Sequence, residues 1–138
     1  MTTIRKGSVH CTNRGFAVAF APEKTRVSQM RKVVTAHMAL WGVRGKLTDN
    51  VVSAVSELVT NAIQHGKGDV GLRVQCVDTE LRIEVTDGNP APAELHIADA
   101  DDESGRGLFL VSRLARNWGV SEDGMTTWCT FHIPSRRS

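Results

Sequence analysis

The chain has 138 residues, of which 41% are hydrophobic and 23% are charged, and 17 Lys and Arg residues against 15 Asp and Glu residues leave a formal net charge of +2. This length predicts one globular domain over residues 1–138 with a core over about 16–134, and the balanced charge argues against a protein held to nucleic acid by a basic excess. No apolar run reaches the roughly 18 residues of a membrane span or follows the N-terminus as in a signal peptide, so we expect a cytoplasmic protein. Cys11, Cys76 and Cys129 are widely spaced without a Cys-x-x-Cys pair, which favours buried thiols over a disulfide framework or a zinc site.

The first elements predicted along the chain are a strand and two helices. Gly15–Ala21 is apolar with period-two alternation and predicts a strand. Apolar residues at helical spacing predict a first helix from Thr25 to Gly42. A second helix is predicted from Thr48, whose hydroxyl suits an N-cap, to a stop at Gly66.

The rest of the chain predicts two hairpins separated by a loop and a third helix. These elements are strands over Val70–Cys76 and Leu81–Val85, a loop over Ala91–Ser104, a helix over Gly107–Asn117, and strands over Trp118–Glu122 and Met125–Pro134 around the turn residues Asp123-Gly124. This order predicts an α+β fold, a two-layer sandwich with helices on one face of a mixed, mostly antiparallel sheet.

A polar stripe follows the second predicted helix. Ser53, Glu57, Asn61 and His65 recur every four residues, which drifts only about 40° per step, so they share a line beside the apolar face. A solvated helix edge would show the same pattern, and the stripe alone does not assign a function.

Two polar residues are predicted to point into the fold. Asp87 has the strand parity of Leu81–Val85, so its carboxylate faces the buried side, where it needs a partner. That partner is either backbone N–H groups of the following turn or the amino group of a ligand. Thr127 has the parity of Cys129 and is predicted on the same inner face, although threonine on a buried strand is common.

Two glycines lead into the third predicted helix, in the run Ser104-Gly105-Arg106-Gly107-Leu108. Glycine permits close backbone approach, and a helix N-terminus offers free N–H groups and a partial positive charge, which together suit a phosphate. An ordinary loop-to-helix turn would look the same.

Taken in order, these segments resemble the sequence boxes of the GHKL ATPases, a superfamily that includes DNA gyrase and histidine kinases. The matching runs are Glu57-Leu58-Val59-Thr60-Asn61-Ala62 with His65-Gly66, Val85-Thr86-Asp87, Gly105-Arg106-Gly107-Leu108 and Thr126-Thr127. The chain is most similar to the anti-sigma-factor serine/threonine kinases. The resemblance implies a Bergerat-type ATP-binding fold with ATP and Mg²⁺ as cofactors.

The resemblance also implies roles for individual residues. Asn61 resembles the ligand of a Mg²⁺ ion that bridges the phosphates, and Glu57 resembles the general base that accepts a proton from the attacking hydroxyl. Asp87 matches the carboxylate that receives the exocyclic amine of adenine, and Thr127 would support the adenine end.

The phosphates and the partner proteins are assigned in the same way. Gly105, Gly107 and the adjoining Leu108 would bring backbone N–H groups to the phosphates, and Arg106 would supply positive charge there. Arg31 stands where related kinases place a partner-binding arginine, although a solvated helix arginine explains it as well. The implied partners are a sigma factor and an anti-sigma-factor antagonist, with a homodimer as the expected assembly and no nucleic acid or membrane bound directly.

The sequence departs from the family pattern near the expected phosphate site. Asn89 and Ala91 stand where glycines are usual, and the segment from Glu94 to Glu103 contains five acidic residues. These departures keep open an alternative function, a nucleotide-binding interaction module that binds a regulator without phosphoryl transfer.

Overall fold

The computed structural model of the protein describes residues 14–88 and 103–134, with the side chains of 103–107 left out. In chain order, its elements are β1 (Arg14–Phe20), α1 (Thr25–Leu40), α2 (Gly45–His65), β2 (Val70–Val77), β3 (Glu80–Thr86), α3 (Glu103–Leu114), β4 (Asn117–Val120) and β5 (Thr126–His132).

The five strands form one sheet in the order β1-β2-β3-β5-β4. The predicted α+β fold is confirmed. Every pairing between the described strands is antiparallel, so the sheet is antiparallel in this part of the chain rather than mixed. The two predicted hairpins are present as β2–β3 and β4–β5. Their register places alternate residues of each strand on opposite faces of the sheet.

The core lies between one face of the sheet and the helices. Helix α2 packs against β2 and β3, and α1 and α3 pack against α2. The apolar stripe of α2 supplies much of this core, with Val51, Ala54, Val55 and Val59 fully buried. Alternate residues of β2 and β3, such as Val74 and Ile83, face them from the sheet and are also fully buried. This burial of apolar surface is the main favourable contribution to folding.

Helix α1 ends at the glycine that the sequence indicated. The backbone N–H of Gly42 donates to Ala39 O at 3.1 Å and that of Val43 donates to Met38 O at 2.8 Å, which is a Schellman motif. This motif requires a left-handed residue after the helix, and Gly42 has φ of 82°. The chain can therefore reverse into α2 within four residues.

Helix α2 begins three residues before the predicted cap. The prediction of Thr48 as its N-cap is wrong, because the helix starts at Gly45 and Thr48 lies in its first turn. The Thr48 hydroxyl instead donates to Val43 O at 2.9 Å, which ties the first turn to the α1–α2 connection.

Helix α3 is displaced toward the N-terminus relative to the predicted range of 107–117. It covers Glu103–Leu114, so the two glycines lie inside its first turns rather than before it. At the other end, the Arg116 N–H donates to Thr130 O at 2.7 Å, and this bond to β5 takes the chain out of the helix.

The two cysteines of the described residues differ, and Cys11 lies outside those residues. Cys129 is free and buried, and burial raises the pKa of its thiol to about 12. Cys76 is disulfide-bonded, so the prediction of a buried thiol is wrong for this residue.

No helix in the described part of the chain is both long and apolar enough to cross a membrane.

Candidate functional site

The polar stripe of α2 lies at the boundary between core and solvent. Ser53, Glu57 and Asn61 are half-buried and His65 is exposed, whereas the adjacent Leu58 is 2% exposed and belongs to the core. The carboxylate of Glu57 and the amide of Asn61 are therefore held on a rigid helix, one turn apart, with part of each side chain open to solvent. This placement suits residues that bind a ligand at the surface of the core.

Asp87 meets the C-terminal end of the same helix. A Cβ atom added to Gly66, the residue after α2, would lie 2.5 Å from Asp87 Cγ and 2.7 Å from its Oδ2. The carboxylate is therefore packed directly on the Gly66 backbone, and it is half-buried there. The fold thus brings Asp87 to the end of the helix that carries Glu57 and Asn61.

Two backbone hydrogen bonds hold the chain around Asp87. Its own N–H donates to Met125 O at 2.9 Å, which extends the β3–β5 pairing by one residue beyond β3. The N–H of Gly88 donates to Lys67 O at 2.7 Å, which joins the end of β3 to the α2–β2 connection. Because the ladder continues, the strand parity used to predict an inward Asp87 is valid.

Thr127 lies on the inner face of the sheet, as predicted. It pairs with Val85 on β3 and with Val120 on β4, and it is half-buried. Val85 precedes Asp87 by two residues, so Thr127 and Asp87 share this end of the inner face. On the opposite face, the hydroxyls of Thr86 and Thr126 are 2.8 Å apart in a cross-strand hydrogen bond.

Helix α3, whose first turn contains Gly105 and Arg106, packs on α2. The first four N–H groups of a helix have no partner within the helix, so they are available to an anion. Leu108 is 2% exposed and part of the core, and as the sixth residue of α3 it has its N–H inside the helix rather than among the open donors. Asn89, Ala91 and the acidic residues before Glu103 lie outside the described residues.

Arg31 lies on the exposed surface of α1. It belongs to a basic stretch of the chain that the sequence reasoning missed, because residues 24–46 contain six Lys and Arg residues and no Asp or Glu. We call this stretch the α1 basic segment, and its charged members are Lys24, Arg26, Arg31, Lys32, Arg44 and Lys46. All except the half-buried Arg26 are exposed. A charge count in a sliding window would have found it.

Sequence reasoning also missed the close contact of Gly66 with Asp87. The sequence predicts Gly66 as the stop of α2, and the structure confirms it, since the Gly66 N–H donates to Ala62 O at 2.8 Å. The pattern gave no sign that this glycine touches a carboxylate 21 positions later, because that contact depends on how the β2–β3 hairpin folds back.

Comparison with known families assigns the chain to a class. Residues 20–131 match the family model of the histidine kinase-like ATPase domain, so the chain belongs to this family, which is of the GHKL type. The matched range includes Glu57, Asn61, Asp87 and Thr127. No curated protein matches the sequence. The resemblance is therefore confirmed for the superfamily, and the protein carries an ATPase-type nucleotide-binding domain.

Proposed function

We propose that this protein is an anti-sigma regulatory factor that binds Mg-ATP, sequesters a sigma factor and phosphorylates a serine or threonine of an anti-sigma-factor antagonist. The observation that carries the proposal is the packing of the Asp87 carboxylate against Gly66, at the end of the helix that bears Glu57 and Asn61. Helix α2 thereby supplies Asn61 for the metal and Glu57 for the proton transfer, and Asp87 beside its end supplies the acceptor for the adenine base.

The chemistry of these groups fits ATP and magnesium. Mg²⁺ prefers oxygen ligands and is commonly held by one or two protein side chains together with substrate phosphates, so the amide oxygen of Asn61 suits it. When bound, the metal would neutralise charge on the phosphates. The half-buried carboxylate of Asp87 is an acceptor that suits the exocyclic amine of adenine, and Thr127 would support the same end.

The phosphates would lie at the first turn of α3. There, the backbone N–H groups near Gly105 provide donors without partners in the helix, and Arg106 would add positive charge, whereas Gly107 is the fifth residue of α3 and lies beyond these open donors. Glu57 would take the proton of the attacking serine or threonine hydroxyl while the hydroxyl oxygen bonds to the γ-phosphorus. The bond between that phosphorus and the β–γ bridging oxygen then breaks, and ADP leaves.

The α1 basic segment supports the assignment of protein partners. Arg26 is paired with Glu23 at 3.5 Å, and the five exposed cations that remain favour association with an acidic protein surface, since such charge raises association rates. We place Arg31 in this contact with the sigma factor and the antagonist. A homodimer acting in the cytoplasm completes the proposal.

The sequence departures support a second candidate function. Asn89 and Ala91 replace two glycines, and five acids precede or begin α3, where negative charge opposes phosphate binding. A protein with these properties would bind nucleotide and sequester a regulator without transferring phosphate.

Incubation with γ-labelled ATP and candidate antagonist proteins separates the two functions. Transfer of label by the wild type, lost in Glu57→Gln and retained in Asp49→Asn, supports the kinase; Asp49 is an exposed acid on the same helix and serves as the control. If ATP binds but label reaches no partner, and Glu57→Gln behaves as wild type, the second function replaces the first. If no adenine nucleotide binds and Asp87→Asn matches wild type, both fail.

A further inference from the structure

Gly66 occupies a position where the backbone conformation does not require glycine. Its φ of −85° and ψ of −172° describe extended backbone, which any residue adopts. What excludes a side chain is space, because an added Cβ would overlap the Asp87 carboxylate and the carbonyl oxygen of Ala62. Glycine is needed here for close approach alone.

Two neighbouring glycines differ from Gly66 in the space available for a side chain. Gly68 has φ of 70° and nothing within 4 Å of an added Cβ, so it is needed for conformation and not for space. Gly71 has neither demand, since an added Cβ would lie 4.0 Å from its nearest neighbours on Thr86 and Val18. Of these three glycines, only Gly66 touches a candidate ligand-binding group.

Backbone hydrogen bonds restrain both residues of the Gly66–Asp87 contact. Gly66 is bonded to α2 through Ala62, and the chain at Asp87 and Gly88 is bonded to Met125 and Lys67 at 2.9 and 2.7 Å. A methyl group at position 66 would therefore have to be accommodated both by a shift of the residue 66 backbone away from the Ala62 carbonyl oxygen and by rotation or displacement of the Asp87 carboxylate.

We infer that Gly66 is a positioning residue that sets the preference of the site for an amino-bearing purine by holding open the space in which the Asp87 carboxylate lies. The inference rests on the proposed nucleotide binding and deepens it. It assigns base selectivity to the absence of a side chain at the end of α2, acting through Asp87.

The test compares ATP with inosine triphosphate, which has a keto oxygen in place of the exocyclic amine. Dissociation constants for both are measured by calorimetry on the wild type, Gly66→Ala and the matched control Gly71→Ala. We expect Gly66→Ala to weaken ATP binding by about tenfold or more, the contribution of one charge-assisted hydrogen bond, and to weaken inosine triphosphate much less. Gly71→Ala keeps both affinities and the preference.

A double variant shows whether Gly66 acts through Asp87. In an Asp87→Ala background, Gly66→Ala should cause no further loss of ATP preference, because the carboxylate is already gone. If Gly66→Ala alone does not fold, rescue of folding in the Gly66→Ala/Asp87→Ala double variant supports the inference. If the double variant does not fold either, the overlap with the Ala62 carbonyl oxygen accounts for the need for glycine, and the role assigned to Gly66 is wrong.

The remaining outcomes separate this inference from the proposed function. If the wild type prefers ATP and Gly66→Ala retains both affinity and preference, the role of Gly66 is wrong while nucleotide binding stands. If the wild type binds neither nucleotide, the proposed function itself fails.

Discussion

The indole of Trp128 on β5 lies directly over Gly119 on β4, its cross-strand partner. A Cβ atom added to Gly119 would be 2.6 Å from Trp128 Cζ2 and 2.9 Å from its Cε2. The guanidinium carbon of Arg82, on the other neighbouring strand, is 4.5 Å from the centre of the ring, within cation–π range. The side chain is on the face of the sheet opposite the helices, whereas Trp41 lies in the core at 8% exposure.

Gly119→Ala should destabilise the protein by about 1–3 kcal/mol, the usual range for overpacking, because the methyl group displaces the indole. Urea denaturation followed by tryptophan fluorescence measures the change in the free energy of unfolding. Gly71→Ala is the control, since its added Cβ has room. Equal free energies of unfolding of the two variants would show that the indole moves aside without destabilising the protein.

Mg-ATP should stabilise the folded protein by about 2.7 kcal/mol at a nucleotide concentration about 100 times the dissociation constant. Asn61→Ala should remove most of the magnesium-dependent part of this stabilisation, because the amide oxygen is the proposed protein ligand. Thermal unfolding with ATP plus Mg²⁺ and with ATP plus a chelator separates the two contributions. Asn50→Ala, also half-buried on α2, should behave as wild type, and an equal loss in both variants would contradict the assignment.

Cys129 should resist thiol reagents at pH 8 in the native protein and react fully in denaturant. The physical reason is burial, which raises the pKa of the thiol to about 12, and the reactive thiolate is scarce far below that value. Iodoacetamide labelling followed by mass spectrometry of the peptide that contains Cys129 measures the reaction. Rapid native labelling would show that the strand opens locally.

The same group makes stability depend on alkaline pH. Between the ordinary thiol pKa of 9.0 and the folded value of about 12, the unfolded chain loses its proton and the folded chain keeps it. The unfolded state is thereby favoured, so the free energy of unfolding should fall as pH rises through this interval. Cys129→Ala should reduce that slope.

Asp123 should stabilise the β4–β5 turn only when it is ionised. The Ser121 hydroxyl donates to its Oδ1 at 2.6 Å and the Met125 N–H donates to the same oxygen at 3.0 Å, and these bonds lower its pKa below 3.8. The contribution is present above pH 3.8 and is lost as pH falls through the lowered pKa.

Asp123→Ala should therefore increase hydrogen exchange in the turn and at the start of β5, near Thr127, and the difference from wild type should shrink at acidic pH. Asp78→Asn is the control, because Asp78 is an exposed acid in the β2–β3 turn whose φ of 56° asparagine tolerates. Unchanged exchange in Asp123→Ala would mean that the strand pairing alone fixes the turn.

The sequence predicted those features that depend on local periodicity. Alternation located β2 and β3, and it placed Asp87 and Thr127 on the inner face because the ladder continues without a bulge. Capping residues were less reliable. Thr48 has the chemistry of an N-cap, but α2 begins about one turn earlier, at Gly45 with φ of 65°. The Thr48 hydroxyl is therefore left to donate to Val43 O.

Contacts between distant segments could not be predicted. The packing of Gly66 on Asp87 and of Trp128 on Gly119 depends on the register of strand pairs and on the approach of a helix end to a strand end. Single residues carry no signal of either. The family resemblance proposed the polar residues of the candidate site, whereas the glycine that makes room for Asp87 became visible in the structure.

The hydrogen bond from Gly88 N–H to Lys67 O closes a ring of chain that contains the whole β2–β3 hairpin. This bond and the register of the hairpin hold Asp87 close to Gly66, the residue that follows α2. The chain between Gly88 and Glu103 lies outside this ring. In the nucleotide site that we propose, insertions or deletions in that connecting segment should therefore alter the contact of α3 with the phosphates and leave the contact of Asp87 with the base unchanged. The parts of the protein that bind the two ends of the nucleotide could then diverge independently during evolution.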